Sequence, residues 1–244
     1  AGSGFGGDRP AHTVAYATRC MTAARTIGVL GGTFDPIHLG HLDAAEAART
    51  TLHLDEIRLL PLHDPPHRSA NPMANAFHRF ALVALAIEDR PAYRVSEMEL
   101  VRPGHSYTAD SLRAMHAEGW TPSQIFFILG ADAFAEISAW REFPAVLDAA
   151  HFVVIARPGT SMETATARTP ELRHRFHRPE ESIPRDGNTR IILVEARTRD
   201  ISSTTIRARL MTREPIDDLV PAAVARHIVV HHLYGAVGDL HGND

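Results

Sequence analysis

The sequence predicts an α/β fold, a doubly wound parallel sheet, and three observations predict it. Short apolar runs over 27–30, 57–60, 125–129, 152–155 and 191–194 alternate with stretches of helical period, as in βα units. The first run passes straight into Gly31-Gly32 and then into a helical stretch rich in alanine. The chain has 244 residues with 44% apolar side chains, enough for one packed α/β domain.

The elements follow in order. The run over 27–30 reads as a buried strand, and Asp35-Pro36 is a turn signal. A helix is expected over about 40–52, with Leu42, Ala45, Ala48 and Arg49 at helical spacing. A strand over 57–60 comes next, and then a proline-stiffened loop, Pro61-Leu62-His63-Asp64-Pro65-Pro66-His67-Arg68. Phe77, Phe80, Ala81, Ala84, Leu85 and Ile87 predict a helix over 77–89. A short strand over 93–95 precedes a helix over 108–117, with Asp110 in its first turn and Leu112 and Met115 inward. The strand over 125–129 leads to a short helix over 132–140. Strands over 152–155 and 191–194 and helices near 203–210 and 221–232 complete the series. Residues 1–24 are glycine-rich at their start, lack the apolar run of a secretory signal, and read as a detachable extension. Residues 25–235 read as one domain, 236–244 as a tail, and 160–189, which lacks an apolar period, as a mobile surface insertion.

Composition excludes several chemistries. All 25 basic residues are arginine. The lysine of a P-loop, a Schiff base and a lysine-bound nucleotide intermediate are therefore excluded. The single cysteine, Cys20, excludes disulfides within the chain and Cys-x-x-Cys sites, and is consistent with a cytoplasmic setting. A net charge of −4 argues against a nucleic-acid partner. No run approaches the roughly 18 apolar residues needed to span a bilayer. A homo-oligomer is compatible with all of this.

A strand, a glycine loop and a helix N-terminus in succession make an anion site, because free amides and the positive end of the helix dipole face the same point. His38 and His41 stand at this helix start and could donate hydrogen bonds to a phosphate. Zinc is the weaker reading of the pair, since the spacing is not H-E-x-x-H and no third ligand accompanies it. Ser106-Tyr107-Thr108 precedes a helix, and Thr108 could be its N-cap. Gly130 ends a strand; Asp132 could cap the next helix and Trp140 could be core. Ile201-Ser202-Ser203-Thr204-Thr205-Ile206-Arg207 is a second hydroxyl-rich helix start, and Ser203 could be a plain cap.

Gly31-Gly32-Thr33-Phe34-Asp35-Pro36-Ile37-His38-Leu39-Gly40-His41 resembles the signature of the H-x-G-H nucleotidyltransferase superfamily. Within it, the wording resembles that of the bacterial nicotinate mononucleotide adenylyltransferases. Ile-Ser-Ser-Thr-x-Ile-Arg at 201–207 matches that family's second motif residue for residue, and the resemblance covers 25–235. It implies a Rossmann-like nucleotidyltransferase fold. It also implies transfer of AMP from ATP to nicotinate mononucleotide, giving nicotinate adenine dinucleotide and pyrophosphate, with Mg²⁺ accompanying ATP.

The resemblance implies ATP contacts from Gly31, Gly32, Thr33, Phe34, His38, Gly40, His41, Ser203, Thr204, Ile206 and Arg207, of which His38, His41 and Arg207 are catalytic. It implies mononucleotide contacts from Asp35, His67, Arg68, Ser106, Tyr107, Thr108, Gly130, Asp132, Trp140 and Arg157. Arg68 stands where the family carries lysine, keeping the charge and adding a planar fork. Asp35 could equally serve only the turn. Two alternatives stay open. One is an adenylyltransferase of the same superfamily acting on nicotinamide mononucleotide or phosphopantetheine, although the phosphopantetheine enzymes usually carry Thr-x-Gly-His. The other is a non-catalytic nucleotide sensor.

Overall fold

The computed structural model describes residues 25–64, 73–102, 104–156, 169–181 and 187–236. Seven strands form one sheet: β1 (Ile27–Gly32), β2 (Glu56–Pro61), β3 (Tyr93–Val95), β4 (Ile125–Gly130), β5 (His151–Ala156), β6 (Phe176–His177) and β7 (Ile191–Glu195). Their spatial order is β3-β2-β1-β4-β5-β7-β6, and every pairing is parallel. The helices are α1 (Leu39–Thr51), α2 (Ala76–Ala86), α3 (Thr108–Ala117), α4 (Ala131–Ala135), α5 (Ser203–Met211) and α6 (Ala222–Val230). No described helix is long and apolar enough to cross a membrane.

The strands are apolar on both faces, so the sheet carries two cores. Leu30, Ile57, Leu59, Phe126 and Ile128 pack with Leu42 of α1, Leu82 of α2, Ile206 of α5 and Val224 of α6. Ile27, Val29, Ile125, Phe127 and Leu129 face the other way, onto Leu112 and Met115 of α3 and Phe134 of α4. The period-two alternation along each strand sorts the side chains between the layers. Strand order reverses between β1 and β4, the place where such sheets open a crevice beyond their carboxyl ends.

The structure departs from the sequence expectations in three places. The helix expected over 132–140 is the five-residue α4 followed by a 3₁₀ turn, Ile137–Ala139. In α2 the inward face is Arg79, Leu82, Val83 and Ala86, while Phe77 lies 76% exposed. Both faces of that helix are apolar, so periodicity alone could not orient it. Within the region read as a surface insertion, Leu172 is buried and Phe176–His177 pairs with β7 as the seventh strand. Arg175 Nη2 bonds Asp148 Oδ1 at 2.6 Å, and Thr189 Oγ1 donates to the Leu147 carbonyl at 2.6 Å.

Candidate active site

The glycine loop turns the chain from β1 into α1. An added Cβ on Gly32 would lie 2.9 Å from the Phe34 ring, whereas at Gly31 the nearest atom is 3.5 Å away. The second glycine is thus demanded by the fold of the loop, with Phe34 tucked beneath it at φ +49°. Phe34 is buried and meets the His41 ring edge-on, centroids 5.1 Å apart.

His38 is the N-cap of α1 and His41 its third residue. Their rings stack with centroids 3.7 Å apart and planes 26° from parallel. The His38 N–H donates to His41 Nδ1 at 3.2 Å. A neutral His41 that accepts at Nδ1 carries its proton on Nε2, so it is set as a donor. His38 is buried, its Nδ1 has no hydrogen-bond partner among the described residues, and burial holds its pKa at about 4 against the pull of Asp43. It is neutral at physiological pH. Gly40 lies between His38 and the carbonyl of Arg199: a Cβ there would sit 3.0 Å from that oxygen and 3.2 Å from His38 Nδ1.

The second motif comes to the same place. Ser202 caps α5, accepting from the Thr205 N–H at 3.0 Å, so the cap falls one residue earlier than Ser203. This leaves the Ser203 hydroxyl to donate to the Pro36 carbonyl at 2.9 Å. Arg207 Nη1 donates to the Asp35 carbonyl at 2.7 Å, and Nη2 to Thr204 Oγ1 at 3.3 Å. Asp43 of α1 accepts from the Arg199 N–H at 3.1 Å. Ile206 is wholly buried in the core and its amide donates to the Ser202 carbonyl at 3.1 Å, so it offers nothing to a ligand.

Asp35 is 2% exposed. Its carboxylate accepts from the Met73 and Ala74 amides at 3.0 and 3.1 Å, and Arg207 Nη1 lies 3.8 Å from Oδ2. Burial, then the charge of Asp35, raises the pKa of the Tyr234 hydroxyl. Asp35 therefore braces the turn from within and presents no carboxylate to a ligand.

A cleft of about 680 Å³ opens at the switch point, lined among others by Gly31, Thr33, His41, Ser106, Tyr107, Thr108, Gly130 and Trp140. Tyr107, not Thr108, is the N-cap of α3, and Thr108 is its first residue. Ser106 is buried; its hydroxyl accepts from the His63 N–H at 3.1 Å and its amide donates to the Asp64 carbonyl at 2.9 Å. Trp140 meets Phe127 edge-on at 6.1 Å, so one ring edge joins the core while the residue lines the cleft. Gly130 is the N-cap of α4. Asp132 is exposed in the first turn and does not line the cleft, so it is neither cap nor cleft wall. His67, Arg68 and Arg157 lie outside the described residues.

Three contributors escaped the sequence. Glu136 and Arg141 line the cleft. Arg79 is 1% exposed, and its guanidinium donates to the carbonyls of Ala74, Thr33, Leu62 and His63 at 2.6–3.1 Å. It ties the loop after β1 to the loop after β2. A charged residue inside an otherwise apolar helix run was the available signal.

Two helix N-termini braced together at the rim of a parallel sheet, above the reversal of strand order, define a nucleotidyltransferase. The comparisons agree. A family model described as cytidylyltransferase-like matches residues 29–209. A protein of Roseiflexus described as a "probable nicotinate-nucleotide adenylyltransferase" is 41% identical over 208 residues, covering 85% of this chain and 97% of its own length. One of Moorella thermoacetica with the same description is 37% identical, covering 88% and 94%. In fold, the chain is similar to Plasmodium falciparum nicotinic acid mononucleotide adenylyltransferase complexed with NaAD (TM-score 0.65, 18% identity, 87% of this chain and 98% of that one). The chain belongs to the nicotinate-nucleotide adenylyltransferases of the cytidylyltransferase-like family.

Proposed function

We propose that this enzyme transfers AMP from ATP to nicotinate mononucleotide, giving nicotinate adenine dinucleotide and pyrophosphate. The observation that carries the reading is the junction of the two motifs, Ser203 on Pro36 and Arg207 on Asp35. It brings a hydroxyl-rich helix start beside a histidine-bearing one, as a triphosphate requires.

A phosphate oxygen of the mononucleotide attacks the α-phosphorus in line, one P–O bond forms, and the bond to pyrophosphate breaks opposite. No protein nucleophile is needed, in keeping with a chain without lysine. Catalysis is then positioning plus stabilisation of charge. His41, its proton fixed on Nε2, donates to the α-phosphate. His38, kept neutral by burial, supports it by stacking and through its backbone N–H. The Gly32 and Thr33 amides receive adenosine or phosphate. Ser203, Thr204 and Arg207 receive the leaving pyrophosphate. The pyridine ring lies on Trp140, with its carboxylate toward the amides at the start of α3.

Mg²⁺ accompanies ATP. In this reading it would be held mainly by nucleotide oxygens and water. When bound, it neutralises charge on the β- and γ-phosphates. The setting is the cytoplasm, where ATP and the mononucleotide meet.

Pyrophosphate release from ATP in the presence of nicotinate mononucleotide, nicotinamide mononucleotide or phosphopantetheine tests the reading. Release with the first, exceeding the others, is expected. Release with none overturns the reading.

A further inference from the structure

We propose that His78, His227 and His231 form an acid-sensitive clasp between α2 and α6 that loosens the ATP site as pH falls. This rests on the reading of the two braced helix starts as that site.

His78 is the third residue of α2, and His227 and His231 lie one turn apart at the end of α6, His231 as its C-cap. His78 Nδ1 and His227 Nε2 are 3.1 Å apart, a hydrogen-bonding distance. The His227 and His231 rings stand 4.2 Å apart between centroids, and the His78 ring lies 5.4 and 5.0 Å from them. The bond between the facing nitrogens needs one to donate and the other to accept. One added proton can sit on the outer nitrogen of the donor ring and leave the bond intact. A second fills both facing nitrogens, and the bond gives way to repulsion between two cations, with the third ring beside them.

The surroundings do not offset that repulsion. Burial lowers the pKa of His227, and the charges of His231 and then His78 lower it further. On α2, Asn75 caps through the His78 N–H at 2.9 Å and is neutral, and Arg79 turns its guanidinium away to the loop carbonyls. On α6, Arg226 is exposed and positive, and His232 Nδ1 faces the Ala236 carbonyl at 3.4 Å. The acids along α6, Glu214 and Asp217, line a groove with Ala225 and Val229, and neither is among the charges acting on His227. A lowered pKa in the folded chain makes the contribution of the clasp complete above 6.5 and draws it down as pH falls below that value.

The clasp sits where both helices reach the turn that carries the first motif. The Met73 and Ala74 amides, just ahead of α2, hold the Asp35 carboxylate. Arg79, next to His78, holds the Thr33 carbonyl at 2.7 Å. Just beyond α6, Tyr234 is buried and its hydroxyl feels the charge of Asp35. Parting α2 from α6 therefore slackens the Asp35 turn from both sides, and with it Thr33 and the start of α1.

The test measures ATP affinity by calorimetry, with parallel urea melts, on the full native chain and on His227→Gln from about pH 8 to about pH 5. Glutamine keeps a hydrogen-bonding side chain that does not titrate. Every other titrating group is common to the two chains, so the native-to-variant ratio isolates the clasp. The ratio of the Kd values for ATP should be flat near neutrality and rise by about 5-fold or more towards pH 5, the low end of coupling between sites. The stability of the native chain relative to the variant should fall over the same range. His227→Lys, with a fixed charge beside His78, should show the weakened affinity already at about pH 8. A Kd ratio that stays constant down to pH 5 overturns the proposal, whether or not the stability gap moves. If the native chain binds no ATP even at pH 8, the reading of the site falls and takes this one with it. If it binds and only the ratio stays flat, this proposal alone falls.

Discussion

Arg207 Nη1 donates to the backbone carbonyl of Asp35 across 2.7 Å and 172 positions of sequence. The bond joins the last motif of the chain to the first. The Asp35 carboxylate is separately engaged by the Met73 and Ala74 amides, so the turn is held from two sides. One nitrogen of the guanidinium fixes the turn; in the proposed reaction its charge, at the start of α5, would receive the anionic leaving group.

These two roles separate by substitution. Arg207→Lys keeps a charge and loses the second arm of the fork. It should lower kcat/KM for ATP by about 10-fold or more, through loss of a charged hydrogen bond worth about 1.5–3 kcal/mol. The unfolding midpoint should move less than in Arg207→Ala. Pyrophosphate-release kinetics and urea melts on the two variants check this, and equal activity in both would remove the charge from the argument.

For His41 the expectation is on turnover. His41→Ala removes a donor whose tautomer the His38 N–H has set. Loss of one preorganised donor should lower kcat by about 10²-fold or more. A folded variant with native turnover would move the donor elsewhere. His41→Asn, which retains an N–H, should recover part of the rate.

Much of this was legible in advance because the signals are local. A strand, two glycines and a helix start follow one another in sequence, and a run of hydroxyls opens the helix at 201–207, so both helix starts could be read without any long-range contact. The parallel sheet followed from alternation. What could not be read depended on which face or neighbour tertiary packing would select. Phe77 belongs to the apolar period that predicts α2 yet lies outside, because Arg79 turns the other face inward to satisfy four carbonyls. For Asp35 the sequence leaves a ligand role and a turn role equally open, and only coordinates reveal the amides of 73 and 74 against its carboxylate. Arg141 owes its place in the cleft to Tyr107, 34 positions earlier, and no spacing rule pairs them.

Arg79 carries a stability prediction. Arg79→Met keeps the length of the side chain and removes every donor, leaving the buried carbonyls of Thr33 and Ala74 and the part-buried ones of Leu62 and His63 without it. The expected loss is about 3 kcal/mol or more, read as a lower urea midpoint at unchanged m. Because Thr33 lines the cleft, the folded fraction should also bind nucleotide more weakly. An unchanged midpoint would mean that water replaces the guanidinium at no cost.

Gly40→Ala tests the junction from a different side. The new methyl would press on the Arg199 carbonyl at 3.0 Å and on the His38 ring at 3.2 Å. The carbonyl belongs to the segment that leads into α5, so the neighbours give way by moving the two motifs apart. Activity should fall by about 10-fold while stability changes by about 1 kcal/mol, the order expected of modest overpacking. Native activity in the alanine variant would show that the two helix starts need not be so close.

His38 makes the fold sensitive to acid in a definable window. Burial lowers its pKa from 6.5 to about 4 in the folded chain. The unfolded chain therefore binds a proton at this position first as pH falls, and stability rises with pH wherever that is so. The contribution is complete above 6.5, declines between 6.5 and 4, and is exhausted below 4. The span corresponds to about 3 kcal/mol at about 1.36 kcal/mol per unit. His38→Gln cannot titrate, so its stability should follow the native profile without this component. The stability advantage of the native chain over the variant should then shrink by about 3 kcal/mol from about pH 7 to about pH 4 in parallel urea melts. A constant gap would mean that the ring takes up its proton as readily in the folded state as in the unfolded one, and that burial does not hold His38 neutral beside His41.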